Sequence, residues 1–303
     1  MLRIAFVGLP LAALLLHQDG HDIVYAGVCR KGALGTRRLR QRIGADRVRI
    51  VPDLTRDLAN VKASKPDLLV SWFWTTKVPR SVRNLAPLGS VGVHPSLLPR
   101  HRGPDPYYWA IARGDEVTGV SAHALEDEYD TGHVFATREL RIDPSWNAWT
   151  LAKKLDRPSL ALLRETVARF AHGPMPVPTA QDERAATDAP APSESDLELR
   201  WYASSREIEQ RVRAAAPWPG AFTALGEHTL VLTRVATTLD FPAVLVPGEA
   251  AVRNDGVTIV RTGDGAVEIR EARLEGEEDD DKTLLFHELA EIVRATTTLA
   301  TLS

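Results

Sequence analysis

Apolar and polar positions fall into two textures along the 303-residue chain. Residues 3–8 form a short apolar run ending at Gly8, and Leu9–His17 continues as a helix start. Asp22–Val28, Val48–Val51 and Asp67–Phe73 are further apolar runs of strand length, with helical stretches near 55–63 and 79–86. Such alternation predicts parallel βαβ units in an α/β sheet. Pro106–Arg113 predicts a short element ended by Gly114, and strands are expected at 118–125 and 133–141. Leu151, Leu155, Leu160, Leu163 and Val167 recur at helical spacing, so Trp146–His172 predicts a long amphipathic helix, which Pro158 should kink or interrupt.

Beyond residue 172 the texture changes. Pro174, Pro176, Pro178, Pro190 and Pro192 fall among Ala, Asp and Ser, which predicts a stiff, solvated linker over 173–195. A helix is expected at Ser204–Ala215. Short strands follow at Thr229–Val235, Gly248–Arg253, Gly256–Thr262 and Ala266–Arg273, at the spacing of a small β-barrel. Glu275–Asp281 reads as an acidic loop and Thr283–Ala295 as a last helix. The expected organisation is thus a Rossmann-like α/β domain with a parallel sheet (1–172), the linker (173–195) and a small OB-like barrel (196–303).

Composition narrows the function classes. Hydrophobic residues make up 44% and charged residues 25%, as in an ordinary soluble domain rather than a disordered or fibrous chain. Cys29 is the only cysteine, which excludes an internal disulfide and a cysteine-rich zinc module. The run Leu9–Leu16 is far short of the ~20 residues of a membrane span, no signal peptide is read, and a cytoplasmic address without membrane contact is expected. The net charge of −3 divides into +6 over residues 1–193 and −9 over 194–303. An acidic C-terminal third argues against a broad nucleic-acid surface there. The basic run Arg30–Arg42 reads first as a solvated helix or loop face, with a phosphate-bearing ligand as the minor alternative. The first turn, Gly8-Leu9-Pro10, is no G-x-G-x-x-G, so a dinucleotide cofactor is not expected.

Candidate chemistry is densest at residues 91–104. His94 falls at the end of a predicted strand, where open α/β sheets place ligands, and Pro95 biases it to an extended backbone. The next strand leads to Glu126-Asp-Glu-Tyr-Asp130-Thr-Gly132. A histidine and a carboxylate on neighbouring loops are the minimum for proton transfer near neutral pH. The residues alone also allow two unrelated loop positions.

Several segments together resemble the folate-dependent formyltransferase family, whose members include methionyl-tRNA formyltransferases. They are Gly92-Val-His94-Pro-Ser96-Leu-Leu-Pro99, Arg102-Gly103, Thr118-Gly119-Val120 and Asp130-Thr-Gly132, then Arg206-Glu-Ile, Pro217 to Phe222 and Thr262 to Gly265. The resemblance covers nearly the whole chain. It implies 10-formyltetrahydrofolate as formyl donor and a primary amine as acceptor. It also implies that His94 polarises the formyl carbonyl or relays a proton while Asp130 holds His94. The pterin would lie against loops matching Trp74, Lys77 and Val78 and matching Glu126, Asp127 and Glu128, largely by main chain. Trp72 and Trp74 read equally well as core aromatics.

Gly92 departs from the family, which has an asparagine there. Losing one oxyanion donor typically costs about 10²–10³ in rate. The run His94–Gly103 is also similar to the hydrolase domain of 10-formyltetrahydrofolate dehydrogenase, which carries an apolar residue at the asparagine position. Three readings follow: transfer to an amine, hydrolysis of the donor, and a silent homologue that binds folate or acceptor. A small amine, such as an amino sugar, is favoured over tRNA because the C-terminal third is acidic. No metal site is expected. His17 and His21 read as a surface turn, and His287-Glu288 lacks the second histidine of a zinc motif. Ser96 reads as a turn support, Cys29 as a packed thiol, and His101 and His123 as either structural or acceptor contacts.

Overall fold

The computed structural model describes residues 1–226, 228–275 and 283–300, and the chain divides into two compact units. One comprises residues 1–106, 117–141 and 153–190, and the other 107–116, 142–152 and 191–303. In chain order the first elements are β1 (Arg3–Gly8), α1 (Pro10–Gln18), β2 (Asp22–Val28), α2 (Thr36–Ile43), β3 (Val48–Ile50) and α3 (Leu58–Ser64). Then come β4 (Leu68–Trp72), α4 (Arg80–Arg83), β5 (Ser90–His94), α5 (Pro106–Ala112), β6 (Val117–His123), β7 (Val134–Arg141) and α6 (Ala148–His172).

The strands of the first unit form one seven-stranded sheet in the order β3-β2-β1-β4-β5-β6-β7. The first five are parallel, as the βαβ pattern predicts. The last two are antiparallel to their neighbours, so the sheet is mostly, not wholly, parallel. Strand β1 shows why a continuous apolar run was needed. Ile4 and Phe6 point into one buried cluster with Leu16, Leu163 and Val167, while Ala5 and Val7 point into another with Tyr25, Val61 and Val82. Burying each of the larger aliphatic and Phe side chains among these contributes roughly 1.5–3 kcal/mol. Pro10 starts α1, where its missing N–H costs nothing.

Helix α6 runs unbroken for 25 residues through Pro158, against the expected interruption. The neighbouring Ser159 hydroxyl donates to the Asp156 carbonyl at 2.8 Å and accepts from the Trp72 indole at 3.0 Å, tying this turn to the end of β4. Trp72 is therefore a core aromatic. His21 is buried and its Nδ1 accepts from the Leu2 amide at 3.4 Å, so it too belongs to the interior rather than a surface turn.

The segment 173–190 is largely exposed, but its main chain is tied into the first unit. Thr179 pairs with Val134 through two 2.8 Å main-chain hydrogen bonds, and Ala189 is fully buried. The first unit accordingly extends to Pro190. The second unit continues with α7 (Glu194–Leu197), α8 (Ser205–Ala215), β8 (Ala221–Leu225), β9 (His228–Thr238), β10 (Ala250–Val252), β11 (Thr258–Arg261), β12 (Ala266–Leu274) and α9 (Phe286–Ala300). Ser204 caps α8: its hydroxyl accepts from the Glu207 amide, and the Glu207 carboxylate accepts from the Ser204 amide at 2.9 Å. The expected small barrel is observed as a five-stranded antiparallel sheet, β10-β11-β12-β9-β8. Its strand β8 was not anticipated. The acidic run after Glu275 lies outside the described residues.

Candidate active site

Strand β5 ends at His94, and the antiparallel register with β6 puts His94 opposite Ser121 and Gly92 opposite His123. Both imidazoles are buried, 6.5 Å apart and nearly perpendicular. His94 Nε2 lies 2.7 Å from the His101 carbonyl oxygen, and His123 Nδ1 lies 2.8 Å from the Ala124 carbonyl oxygen. A carbonyl only accepts, so each of these ring nitrogens carries a proton and donates it. The tautomers follow: His94 turns Nδ1, and His123 turns Nε2, toward one carboxylate. The distances are 3.4 Å from His94 Nδ1 to Asp130 Oδ2 and 3.6 Å from His123 Nε2 to Asp130 Oδ1. Burial holds the His123 imidazole below its ordinary pKa. The Asp130 charge opposes that effect, and His94 adds to it.

The loops are bent to make this meeting possible. His101 and Asp130 both adopt left-handed backbone, with φ of 58° and 59°. For residues with a side chain this costs of order 1–3 kcal/mol each and persists only where surroundings impose it. Asp130 Oδ2 accepts from the Gly103 amide at 3.0 Å. The Ser96 hydroxyl donates to the Arg100 carbonyl at 2.6 Å, closing the turn that brings His101 back to His94.

Gly92 gives no side-chain donor, and the space beside it is filled. A Cβ built there would lie 2.6 Å from Leu125 Cδ2 and 3.6 Å from His123 Nε2. Residue 92, Leu125 and His123 thus share one volume.

The two candidate cofactor loops are brought side by side by ion pairs. Lys77 meets Glu128 at 2.9 Å, and Arg80 and Arg83 both bind Asp127. Arg83 is buried and also donates to the carbonyls of Leu125 (2.7 Å) and Val78 (3.1 Å) and reaches Glu126 at 3.4 Å. Hydrogen bonding from Arg80 holds the Asp127 carboxyl below the usual range. Val78 is buried, Trp74 is half-buried, and Glu126, Asp127 and Glu128 are exposed. The Trp74 indole N–H is buried and finds no acceptor among the described residues.

Sequence reading missed Arg83, and left the role of His123 open. Arg83 stood out only as a cation inside a short helical stretch. For His123 a signal existed: it lies opposite Gly92 once β5 and β6 are paired. No group of three or more His, Cys, Asp or Glu residues among those described could hold a metal ion. No helix of the described residues is long and apolar enough to cross a membrane.

Comparison with known proteins matches residues 53–167 to the formyl transferase family model and residues 193–282 to that of the formyl transferase C-terminal domain. A methionyl-tRNA formyltransferase of Anaeromyxobacter dehalogenans strain 2CP-C is 32% identical over 293 residues, covering 91% of this chain and 93% of that one. Another, of Sorangium cellulosum, is 34% identical over 200 residues, or 66% of this chain and 64% of the relative. The match thus spans slightly under two thirds of the latter's length. Two solved structures share the fold. The N-formyltransferase of Helicobacter canadensis, in complex with folinic acid and dTDP-3-aminofucose, has a TM-score of 0.68 at 14% identity, covering 90% of this chain and 100% of that one. HypX of Aquifex aeolicus, in complex with tetrahydrofolic acid, has a TM-score of 0.63 at 22% identity, covering 91% of this chain and 45% of that one.

Proposed function

Because this chain belongs to the formyl transferase family, we propose that it is an enzyme moving a formyl group from 10-formyltetrahydrofolate to a primary amine. The observation that carries this reading is the partly buried Asp130 carboxylate flanked by the buried imidazoles of His94 and His123 at the carboxyl end of β5. The donor supplies an electrophilic formyl carbon on nitrogen. The acceptor amine must release one proton and the departing nitrogen must gain one, so a group that takes and returns a proton suffices. His94 meets that need. Its Nε2 proton is pinned by the His101 carbonyl, its Nδ1 faces Asp130, and Asp130 balances the charge whenever the ring is doubly protonated. Burial holds His123 below its ordinary pKa, so near pH 7 its Nε2 faces Asp130 without a proton and leaves that carboxylate to His94.

The residues fit the donor. Lys77 joins Glu128 across the ion-pair clasp, and the unsatisfied Trp74 N–H is a buried donor whose cost an acceptor-rich heterocycle would relieve after a small shift of the indole. For the acceptor we favour a small-molecule amine, such as an amino sugar, since residues 194–303 carry a net charge of −9. A methionyl-tRNA acceptor is the second reading, favoured by the curated relatives. Donor hydrolysis is a third, favoured by Gly92 and the Leu125 side chain beside it.

The deciding experiment follows conversion of 10-formyltetrahydrofolate spectroscopically, first alone, then with amino sugars, other small amines and charged initiator tRNA. Acceptor-dependent conversion abolished by His94→Ala supports transfer and names the acceptor. Conversion without acceptor turns the reading to hydrolysis. Donor binding without conversion under any condition overturns both.

A further inference from the structure

The proline-rich segment after α6 crosses the floor of the candidate active site. Gln181 donates from Nε2 to the carbonyls of Asp130 and Gly132, both at 2.7 Å. Its Oε1 accepts from Arg102 Nε at 3.0 Å and Nη2 at 2.8 Å. One carboxamide therefore joins the Asp130 turn to the Arg102 turn. The joint is reinforced along the segment. Thr187 Oγ1 accepts from the His101 amide at 2.9 Å, and the Thr187 carbonyl accepts from the Arg102 amide at 2.8 Å. The Ala189 amide donates to the Arg102 carbonyl at 2.6 Å. A Cβ on Gly103 would come within 2.8 Å of the Ala189 carbonyl, so this close approach needs glycine. Of the four non-glycine residues with left-handed backbone among those described, Lys65, Phe73, His101 and Asp130, the segment holds the turns of the last two.

We propose that residues 179–189 are a strap that sets the active-site geometry, and that Gln181 is its positioning residue, holding Asp130 between His94 and His123. The inference rests on the reading of His94 and Asp130 as the reacting pair, and it adds a role for a segment whose composition suggests only a spacer. A carboxamide suits the task because it donates twice and accepts twice without adding charge beside Asp130. The groups facing Asp130 are His94 on β5, His123 on β6, Arg102 and the Gly103 amide on the turn after β5, and the Gln181 amide. Glu183 and Asp188 in turn face Arg102.

The test is the titration of the His123 imidazole, followed by NMR on the isotope-labelled full chain, in wild type, Gln181→Leu and Gln181→Asn. Leucine removes every hydrogen bond of the carboxamide. Asparagine stays polar but is too short to span both turns, and it serves if the leucine variant does not fold. When Asp130 is no longer held, His123 loses the charge that opposes its burial. The expected result is titration at lower pH by about half a unit or more in either folded variant. In the same variants kcat should fall about 10- to 100-fold, with the donor KM within about twofold of wild type. A His123 titration superimposable on wild type in folded Gln181→Leu and Gln181→Asn overturns the proposal. Should wild type transfer no formyl group, the transfer reading falls, while the titration still decides whether Gln181 holds Asp130.

Discussion

Two charged clusters sit at the same end of the sheet, and they are built in opposite ways. Around Asp127 the pairs are close: Lys77 reaches Glu128 at 2.9 Å, and Arg80 and Arg83 bind the carboxylate directly. Apart from Arg83, every side chain there is at least 46% exposed. Around Asp130 the imidazole contacts are longer, 3.4 and 3.6 Å, although both histidines are buried. Water weakens the close pairs, whereas the lower-dielectric surroundings strengthen the loose ones only when an imidazole is protonated. The exposed cluster therefore joins two loops at modest gain, and its charges are already matched. The buried cluster has its outer nitrogens fixed by carbonyls and its inner nitrogens facing a carboxylate with slack. That slack is room for a proton to arrive and leave.

The contrast breaks most directly at Asp130. Asp130→Asn keeps an acceptor for the Gly103 amide but cannot balance an imidazolium on His94 or His123. Formyl-transfer kcat should fall about 10²–10⁴-fold with the fold retained. A loss below tenfold in a steady-state assay would place the essential charge elsewhere.

A smaller effect sharpens the role of Gly92. An asparagine there must displace the end of Leu125, which costs about 1–3 kcal/mol for an overpacked site. Leu125→Ala opens that space. The two changes should couple favourably by about 0.5–3 kcal/mol in a double-mutant cycle read by urea unfolding. Additive losses would show that Leu125 and residue 92 do not compete for one volume. If the double variant also gains transfer activity, the wild-type enzyme lacks the oxyanion donor that asparagine restores.

The pH dependence of stability reports on burial rather than chemistry. His123 and His21 both titrate below their ordinary value because they are buried. The unfolded chain therefore binds more protons than the native one just below pH ~6.5, and stability rises with pH through that window. Their contribution is fully present above pH ~6.5 and is lost as the pH falls toward the depressed native values. His21→Gln with His123→Gln should flatten the acid-side fall in thermal midpoint, whatever the change at neutral pH. An unchanged slope would mean that neither imidazole is held neutral by the fold.

Much of this architecture was legible in the chain. Strands β1 to β4 followed from apolar runs too short for helices, and His94 from its place at a strand end before a proline. Other features depended on groups far apart in sequence. The antiparallel direction of β6 left no mark in the hydrophobic pattern, because a buried strand looks the same in either direction. Pro158 inside α6 was read from its missing N–H, whereas its surroundings are set by Ser159 and Trp72, 87 residues apart. The segment 173–190 had the composition of a spacer, yet its main chain finds partners in Val134 and Arg102. Gly92 was noticed as an absence. Only the pairing of β5 with β6 showed that Leu125 and His123 occupy its surroundings.

The smallest expected effect lies within the exposed cluster itself. Lys77 and Glu128 make a close ion pair, and Lys77 also lies 5.2 Å from the centre of the Tyr129 ring. Glu128 is 75% exposed, so water already solvates much of what the pair would gain, and Lys77→Ala should cost no more than about 1 kcal/mol in urea unfolding. Arg83 belongs to the same cluster by charge but not by environment. Its side chain is 9% exposed and donates to two main-chain carbonyls as well as to Asp127. Arg83→Met leaves the Val78 and Leu125 carbonyls without that donor and should cost about 1–3 kcal/mol. The ratio between the two variants is the decisive quantity. If Lys77→Ala were as damaging as Arg83→Met, burial would not be what sets the worth of these pairs. If the losses separate as expected, burial of the cation and its main-chain partners sets the difference between the two variants.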